Sequence, residues 1–264
     1  MVSIAYQQYF FINLIEIRIS MSKKKKKNYL LEKIIGIFKE EKLGRVLDLG
    51  CGDGDYAKRL KDLGFEVVAS DMDLERFKYR NLIKFEASDL EKPLPFPESS
   101  FDYVIFLEVI EHLYNPHFVI EQISRVLKPS GVLILSTPNI LNLGSRLRFL
   151  FEGSFDFFHE PILDYHKVFP AEIQNMHIVV WRYQELEYLL FKSRLCVETV
   201  YTDLKKSSLK FLWFMLSLLI KCQCRQKERR SLKKGGINYQ RINKILLSKE
   251  LLFGRHLILR AKKE

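Results

Sequence analysis

The stretch Val46-Leu47-Asp48-Leu49-Gly50-Cys51-Gly52-Asp53-Gly54-Asp55 decides the fold. Its first four residues are mostly apolar and predict a short buried strand. Glycine then recurs at every second position, which predicts a tight turn into a helix over residues 56–63. Glycine suits such a turn because it adopts backbone angles closed to other residues and lets a ligand approach the backbone closely. The usual ligand at a strand-to-helix turn of this kind is a nucleotide or a nucleoside.

The spacing of the glycines excludes two common phosphate-binding patterns. The dinucleotide pattern G-x-G-x-x-G would need glycine at position 55, which is Asp55, and the pattern G-x-x-x-x-G-K-[ST] is absent. The segment resembles motif I of the class I S-adenosylmethionine (SAM) dependent methyltransferases, D-x-G-x-G-x-G, matched at Asp48, Gly50, Gly52 and Gly54. This resemblance implies SAM as the cofactor. SAM carries no phosphate, so the acidic residues in the segment are compatible with it.

The next two strands supply further residues of the same pattern. A strand over residues 66–70 ends at Asp71, whose carboxylate would accept hydrogen bonds from the ribose hydroxyls. The alternative is an acid that caps a helix over residues 74–80. A strand over residues 82–86 leads to a loop where the resemblance places Asp89 on the adenine amine, although a polar loop acid is equally ordinary. The cofactor-binding set that the resemblance implies is Asp48, Gly50, Cys51, Gly52, Gly54, Asp71, Met72, Ser88, Asp89, Leu90, Leu107 and Glu108.

The fourth strand, predicted over residues 101–107, runs into Glu108-Val109-Ile110-Glu111-His112-Leu113. This phrase also resembles the superfamily, and residues just past strand 4 lie at the carboxyl edge of the sheet, where open α/β sheets bind ligands. If the acceptor is a hydroxyl, a base helps, and His112 is the first candidate because neutral imidazole is available near pH 7. Glu111 is the second catalytic candidate. The alternative for His112 is a structural hydrogen bond that holds the loop.

Two other functions are compatible with the same phrase. Small-RNA 2′-O-methyltransferases hold a divalent metal with a Glu-x-x-Glu-His cluster and a later histidine. Glu108, Glu111 and His112 match this cluster, and His177 is a conceivable fourth ligand. Our prediction nevertheless includes no metal, because the neutral body of the chain argues against RNA. The other function is a SAM-binding scaffold without catalysis, in which the apolar segment recruits partners.

The order of strands and helices predicts the fold class. Five strands alternate with helices up to residue 140, and strands over residues 196–201 and 251–261 follow. We predict a Rossmann-like, doubly wound α/β domain with a seven-stranded, mostly parallel sheet and an antiparallel last strand. The domain would cover residues 28–264, after a basic extension at 1–27 that need not be ordered. It would carry a variable cap at about 140–181, with His159, His166 and His177, and an apolar and basic insertion at about 204–250.

The net charge of +11 lies in two segments, since residues 1–28 carry +5 and residues 221–234 carry +6. This distribution does not resemble a nucleic-acid groove and indicates either solvated segments or contact with an anionic surface. The apolar run 209–220 would form a helix of about 18 Å, shorter than the ~30 Å core of a membrane. It would lie on a membrane surface, or pack on the domain or in a dimer. We expect a cytoplasmic protein, with peripheral attachment to the inner membrane face as an option, acting on a small-molecule or lipid-linked acceptor.

The cysteines and the first residues add weaker indications. The four cysteines show no disulfide framework, which indicates a reducing compartment, and Cys222-x-Cys224 lacks the second pair that a zinc site needs. The basic run 23–27 follows the first apolar residues instead of preceding them, so the start is not an ordinary signal peptide. Residues 1–20 are either an upstream false start before Met21 or an amphipathic anchor.

Overall fold

One seven-stranded sheet organises the computed structural model, which describes residues 29–158, 177–203, 210–233 and 239–264. The strands are β1 (Arg45–Leu49), β2 (Glu66–Asp71), β3 (Lys84–Ala87), β4 (Phe101–Leu107), β5 (Leu127–Pro138), β6 (Leu195–Tyr201) and β7 (His256–Lys263). The helices are α1 (residues 29–38), α2 (Asp55–Asp62), α3 (Pro116–Val126), α4 (Leu143–Glu152), α5 (Tyr183–Lys192), α6 (Lys210–Lys233), α7 (Gln240–Leu246) and α8 (Lys249–Phe253). A short 3₁₀ turn, Ile110–His112, follows β4.

The strand order is β3-β2-β1-β4-β5-β7-β6, which confirms the predicted fold class. Strand β1 pairs in parallel with both β2 and β4, and β7 runs antiparallel to β5 and β6. The chain therefore leaves β1 toward β2 and β3 on one side and returns to β4 and β5 on the other. Ligands bind open α/β sheets at this switch point, outside the carboxyl ends of β1 and β4.

Both faces of the sheet are covered, because alternate residues of each strand enter different apolar cores. Val104 and Phe106 of β4 join the core that contains α3 and α5. Tyr103 and Ile105 of the same strand join the core that contains α1 and α2. A central parallel strand buried on both faces accounts for the nearly continuous apolar sequence of β4. The helices packed on both faces thereby fix the position of the carboxyl ends of the strands.

Two predicted elements are wrong in their local structure. Residues 74–80 form turns instead of a helix, although Asp73 Oδ1 accepts from the amides of Glu75 (2.9 Å) and Arg76 (3.4 Å) as a helix cap would. The Lys78 amide donates to the Asp53 carbonyl in the glycine turn at 3.2 Å instead of to the Leu74 carbonyl that a helix requires. The predicted strand 251–261 begins too early, since Ser248 caps α8 by accepting from the Leu251 amide, and β7 starts only at His256.

The apolar run near residue 210 belongs to a longer helix than expected. Helix α6 has 24 residues and continues through the basic run. Within the described ranges, no helix combines the length and the apolar character needed to cross a bilayer. Part of the cap predicted at about 140–181 is helical. Helix α4 begins after Asn142, which is its N-cap residue, and ends at Gly153, which has the left-handed conformation. The predicted extension 1–27 and the cap residues His159 and His166 lie outside the described residues.

Candidate active site

The glycine turn lies between β1 and α2 with all three glycines at positive φ: Gly50 at 74°, Gly52 at 54° and Gly54 at 85°. The amides of Gly50 and Cys51 both donate to the Ser70 carbonyl of β2, at 2.8 and 3.1 Å, which fixes the start of the turn. A Cβ on Gly50 would lie 2.6 Å from Val109 Cγ2, whereas a Cβ on Gly52 would meet nothing closer than 3.6 Å. A Cβ on Gly52 would thus make only ordinary contact with the Arg76 side chain, so this position is less crowded than Gly50.

Asp71 lies at the carboxyl end of β2, directly beside this turn. Its Oδ2 accepts a hydrogen bond from the Gly52 amide at 2.8 Å, and its Oδ1 accepts from the Asp73 amide at 3.2 Å. The neighbouring Met72 side chain is 71% exposed at the same edge. The structure thus brings together the predicted ribose ligand and the predicted glycine turn. The turn is also stabilised by the carboxylate itself, a role that the sequence did not indicate.

The loop after β3 is held against the same edge by serine hydroxyls. The buried Ser88 Oγ lies 2.6 Å from Ser70 Oγ, and the Ser88 amide donates to the Asp71 carbonyl at 3.0 Å. Asp89 faces solvent, and hydrogen bonding by the Glu91 amide, with a further contribution from Lys92, lowers the pKa of its carboxyl group. Leu90 packs on the apolar core. These contacts place the predicted adenine loop next to Asp71 at the switch point.

Glu108 follows β4 with a positive φ of 55°, a strained value for a residue with a side chain. Its Oε1 accepts from Ser136 Oγ at 2.7 Å, and its Oε2 lies 3.4 Å from His256 Nε2. The other ring nitrogen of His256 lies 2.8 Å from Asp203 Oδ2. Burial opposes a charge on His256, but the carboxylates of Glu108 and Asp203 outweigh this effect and raise its pKa.

Sequence reasoning missed His256 and Asp203 as site residues. His256 was missed because the direction of β7 was not taken into account. β7 is antiparallel, so its first residue lies at the edge where the parallel strands end. Tyr56 was missed as well. Burial and the nearby carboxylates, Glu108 first among them, raise the pKa of its phenol. The network of Glu108, His256 and Asp203 therefore concentrates charge at the carboxyl ends of β4 and β6.

A second cluster lies on the 3₁₀ turn after β4. Glu111, His112 and His177 each place one ligand atom within 4.8 Å of the other two. Glu111 is fully buried, its Oε2 accepts from Thr137 Oγ1 at 3.1 Å, and burial raises the pKa of its carboxyl group. Its backbone carbonyl accepts from the amides of Ile178 and Val179, which ties residue 177 to the turn.

This cluster has the donors that a proton transfer or a divalent ion would need. Among the described residues, Glu111 Oε1 accepts no hydrogen bond, and His177 Nε2 lies 4.0 Å from it. A carboxylate and two imidazoles suit a divalent transition metal. Glu108, the first residue of the four-ligand alternative, is directed to Ser136 and His256 and does not belong to the cluster. The other predicted residues, Asp48, Cys51 and Leu107, are buried at the ends of β1 and β4.

A doubly wound sheet with a glycine turn at its switch point and an acid at the end of the next strand defines the class of Rossmann-like, nucleoside-binding enzymes. A family model described as a methyltransferase domain matches residues 22–190, more than half of the chain. The chain belongs to this family, the SAM-dependent methyltransferases, and its cofactor is SAM. The glycine turn and Asp71, which lie side by side, fit a nucleoside cofactor of this kind.

Curated relatives agree with this membership. The ubiquinone biosynthesis O-methyltransferase of Vibrio campbellii is 31% identical over 166 residues, which cover 56% of this chain and 66% of the relative. A probable SAM-dependent methyltransferase of Mycobacterium tuberculosis is 36% identical over 99 residues, covering 36% of this chain and 35% of the relative. The chain thus spans less than two thirds of the length of these relatives.

Solved structures share the fold. A SAM-dependent methyltransferase from Archaeoglobus fulgidus has a TM-score of 0.51 at 17% identity, covering 88% of this chain and 94% of the other. The PH0226 protein from Pyrococcus horikoshii has a TM-score of 0.51 at 22% identity, covering 89% and 88%. At these identities the similarity shows the fold alone.

Proposed function

We propose that the protein transfers the methyl group of SAM to an oxygen or carbon atom of a small-molecule or lipid-linked acceptor. The observation that carries this proposal is the cluster of Glu111, His112 and His177 after β4, in which Glu111 is buried and the two histidines are half-buried. The O-methyltransferase name of the Vibrio relative supports oxygen as the acceptor atom.

In this proposal the chain positions two reactants and manages one proton. When bound, SAM supplies a methyl group on a positively charged sulfur. The glycine turn and Asp71 hold the nucleoside part, and Asp89 holds the base. His112 takes the proton of an acceptor hydroxyl, and the buried Glu111 is the second candidate base. The ring centroid of Phe158 lies 5.1 Å from that of His177, so an apolar side chain adjoins the cluster. Most of the rate increase then comes from orientation of the reactants.

The test is transfer of labelled methyl from SAM to a panel of phenols that differ in the length of an attached apolar chain. We expect His112→Asn to slow turnover by about 100-fold, the usual scale of general-base catalysis, without changing the affinity for S-adenosylhomocysteine. The matched control is His117→Asn, because His117 is exposed on the adjacent α3. Equal turnover in the two variants would refute the role of His112. S-adenosylhomocysteine binding without turnover on any acceptor would favour the scaffold function.

A second candidate is metal-dependent methyl transfer, including transfer to a ribose 2′-hydroxyl of RNA. It is favoured by the convergence of Glu111, His112 and His177 on one point. The experiment is to compare turnover after treatment with EDTA and after addition of Mg²⁺, Mn²⁺ or Zn²⁺, with phenols and with a short RNA as acceptors. Loss of activity in EDTA that a metal restores would establish the metal requirement. The acceptor that is methylated distinguishes the two substrate classes.

The proposal also includes attachment to the inner face of the membrane. Its basis is the first half of α6, where Phe214, Met215, Leu218 and Leu219 are exposed, next to a basic second half. Apolar side chains beside basic residues suit an anionic membrane surface. The cap at about 140–181 and the insertion at about 204–250 belong to this proposal as the segments that meet the acceptor and the membrane.

A further inference from the structure

Helix α4 leaves an unusual apolar surface beside α6. Phe149, Leu150 and Phe151 are 49%, 70% and 80% exposed, although they are large and follow one another in sequence. Four exposed apolar residues, Phe214, Met215, Leu218 and Leu219, lie on α6, the helix that borders the same cavity. A cluster of exposed large apolar side chains commonly marks an interaction site.

A cavity of about 430 Å³ lies between the two helices. This volume is in the range of small-molecule sites, about 300–1,000 Å³. The side chains that line it are apolar with one exception, so the cavity suits a hydrocarbon chain. The lining residues are Leu143, Arg146, Leu147, Phe149 and Leu150 of α4 and Ile220 of α6.

The exception is Arg146, whose side chain is largely buried in this wall. Its Nε–H is inaccessible to solvent and donates to no acceptor among the residues that the structure describes. Burial lowers the pKa of its guanidinium group. Arg148, two positions further along the same helix, shows the ordinary situation, since it pairs with Glu152 at 2.7 Å and Asp156 at 3.3 Å. A buried cation without an anion is costly, so an anion that entered the cavity would be stabilised there.

We propose that this cavity binds one molecule of an anionic amphiphile, an alkyl or prenyl chain that carries a phosphate or carboxylate, with Arg146 at the anionic end. A guanidinium group binds such anions through two parallel hydrogen bonds. The basic second half of α6 favours an anionic membrane lipid as the source, because it would hold the cavity at an anionic surface. The site does not include Glu111, His112 or His177, so it is separate from methyl transfer.

The experiment is calorimetric titration of the full chain with dodecyl phosphate below its micelle concentration, with dodecanol and with inorganic phosphate. We expect dodecyl phosphate to bind most tightly. Arg146→Met, which keeps an unbranched apolar side chain and removes the guanidinium group with its charge, should weaken dodecyl phosphate by about tenfold or more and leave dodecanol unchanged. The control Arg148→Met should change the affinity by less than about threefold, since exposed ion pairs contribute little.

Three results would overturn the proposal: no binding of dodecyl phosphate, equal binding of dodecanol, or equal weakening by Arg146→Met and Arg148→Met. Titration with S-adenosylhomocysteine in each variant shows that the fold and the cofactor site are intact, so failure of this proposal is distinct from failure of methyl transfer. Phosphatidylglycerol vesicles that displace dodecyl phosphate would identify a membrane lipid as the source. Binding that vesicles do not displace would support the same site with a free amphiphile as its ligand.

Discussion

At the scale of single residues, the glycines of the turn are not equivalent. Gly50 and Gly52 both have positive φ, so a side chain at either position costs about 1–2 kcal/mol of backbone strain. A Cβ on Gly50 would also overlap Val109 Cγ2 at 2.6 Å, whereas Gly52 has room. We expect Gly50→Ala to lower the free energy of unfolding by at least ~1 kcal/mol more than Gly52→Ala, because over-packing adds to the strain.

Urea denaturation of the two variants measures this difference. The control is Gly36→Ala, because Gly36 lies within α1 with nothing within 4 Å of an added Cβ. Alanine in a helix is favoured over glycine by up to ~1 kcal/mol, so this variant should be slightly stabilised. Equal losses for Gly50→Ala and Gly52→Ala would contradict the role of Val109.

For cofactor binding we expect Gly52 to matter more than Gly50. Gly52→Val should abolish cofactor binding, because the bulkier side chain would occupy the space through which a ligand approaches the backbone.

His256 gives a prediction about pH. The side chains that face it are Glu108 and Asp203, with the cation of Arg255 nearby, and the two carboxylates raise its pKa. A histidine with a raised pKa stabilises the fold fully below its unfolded pKa, about 6.5, and this contribution is lost as the pH rises through the folded pKa. His256→Gln should therefore cost more at pH 6 than at pH 9. At pH 6 the cost is about 1.5–3 kcal/mol, the scale of a hydrogen bond to a charged group.

Denaturant unfolding of wild type and variant at the two pH values tests this sign. His117→Gln serves as the control, since His117 is exposed at the start of α3. A gap for His256→Gln that is equal or larger at pH 9 would show that a neutral imidazole supplies the stability.

At the scale of residues, the position of a candidate site residue could be predicted where the residue follows its own strand, while its role stays a prediction. Asp71 and the glycines lie at one edge because β1 and β2 are consecutive and parallel. His256 and Asp203 were not predictable in this way. The contact of His256 with Glu108 joins residues separated by about half of the chain and depends on where the antiparallel strand enters the sheet.

At the scale of secondary structure elements, Asn139 fastens the end of β5 to α8. Its Nδ2 donates to the carbonyls of Leu251 at 2.9 Å and Gly254 at 3.0 Å, and its Oδ1 accepts from the Leu141 amide at 3.1 Å. Asn139 itself is buried, with 1% of its surface exposed. We expect Asn139→Ala to lower the free energy of unfolding by about 2–4 kcal/mol, since each buried group left without a partner costs about 1–3 kcal/mol.

The matched control is Asn115→Ala, which removes an ordinary helix cap. Asn115 Oδ1 accepts only from the Phe118 amide, at 3.3 Å, at the start of α3. Its loss should cost ~1 kcal/mol, the usual value for a cap. Unfolding curves that rank Asn115→Ala as the more damaging change would contradict the fastening role of Asn139.

Strand β4 was predicted well from its apolar pattern, and the segment 74–80 was not. β4 has the predicted bounds, residues 101–107, and both of its faces pack into apolar cores. The segment 74–80 has helical composition, yet its Lys78 amide donates to the Asp53 carbonyl of the glycine turn. Composition alone does not distinguish these outcomes, since the competing hydrogen bond comes from a distant part of the chain.

At the scale of the whole molecule, the net charge lies in two basic segments, and the rest of the chain is neutral overall. The segments 1–28 and 221–234 carry the entire net charge of +11, and the second of them lies largely on α6. This distribution is read directly from the sequence, because charge is additive along the chain. The sequence did not predict that the basic run would be helical and continuous with the apolar run, which places both on one rod of 24 residues.

This arrangement leads to a prediction about membrane binding. Arg229, Arg230 and Lys233 are exposed near the end of α6, and each basic residue near an anionic surface contributes about 1 kcal/mol. Replacing all three by glutamine should weaken co-sedimentation with phosphatidylglycerol vesicles by about 100-fold. The matched control replaces Lys61, Lys84 and Lys262, which are exposed on other elements, and removes the same charge from the molecule. Binding should also weaken with added salt, because the attraction is screened over about 10 Å at 0.1 M. Equal losses in the two triple variants would mean that net charge alone, and not α6, brings the protein to the surface.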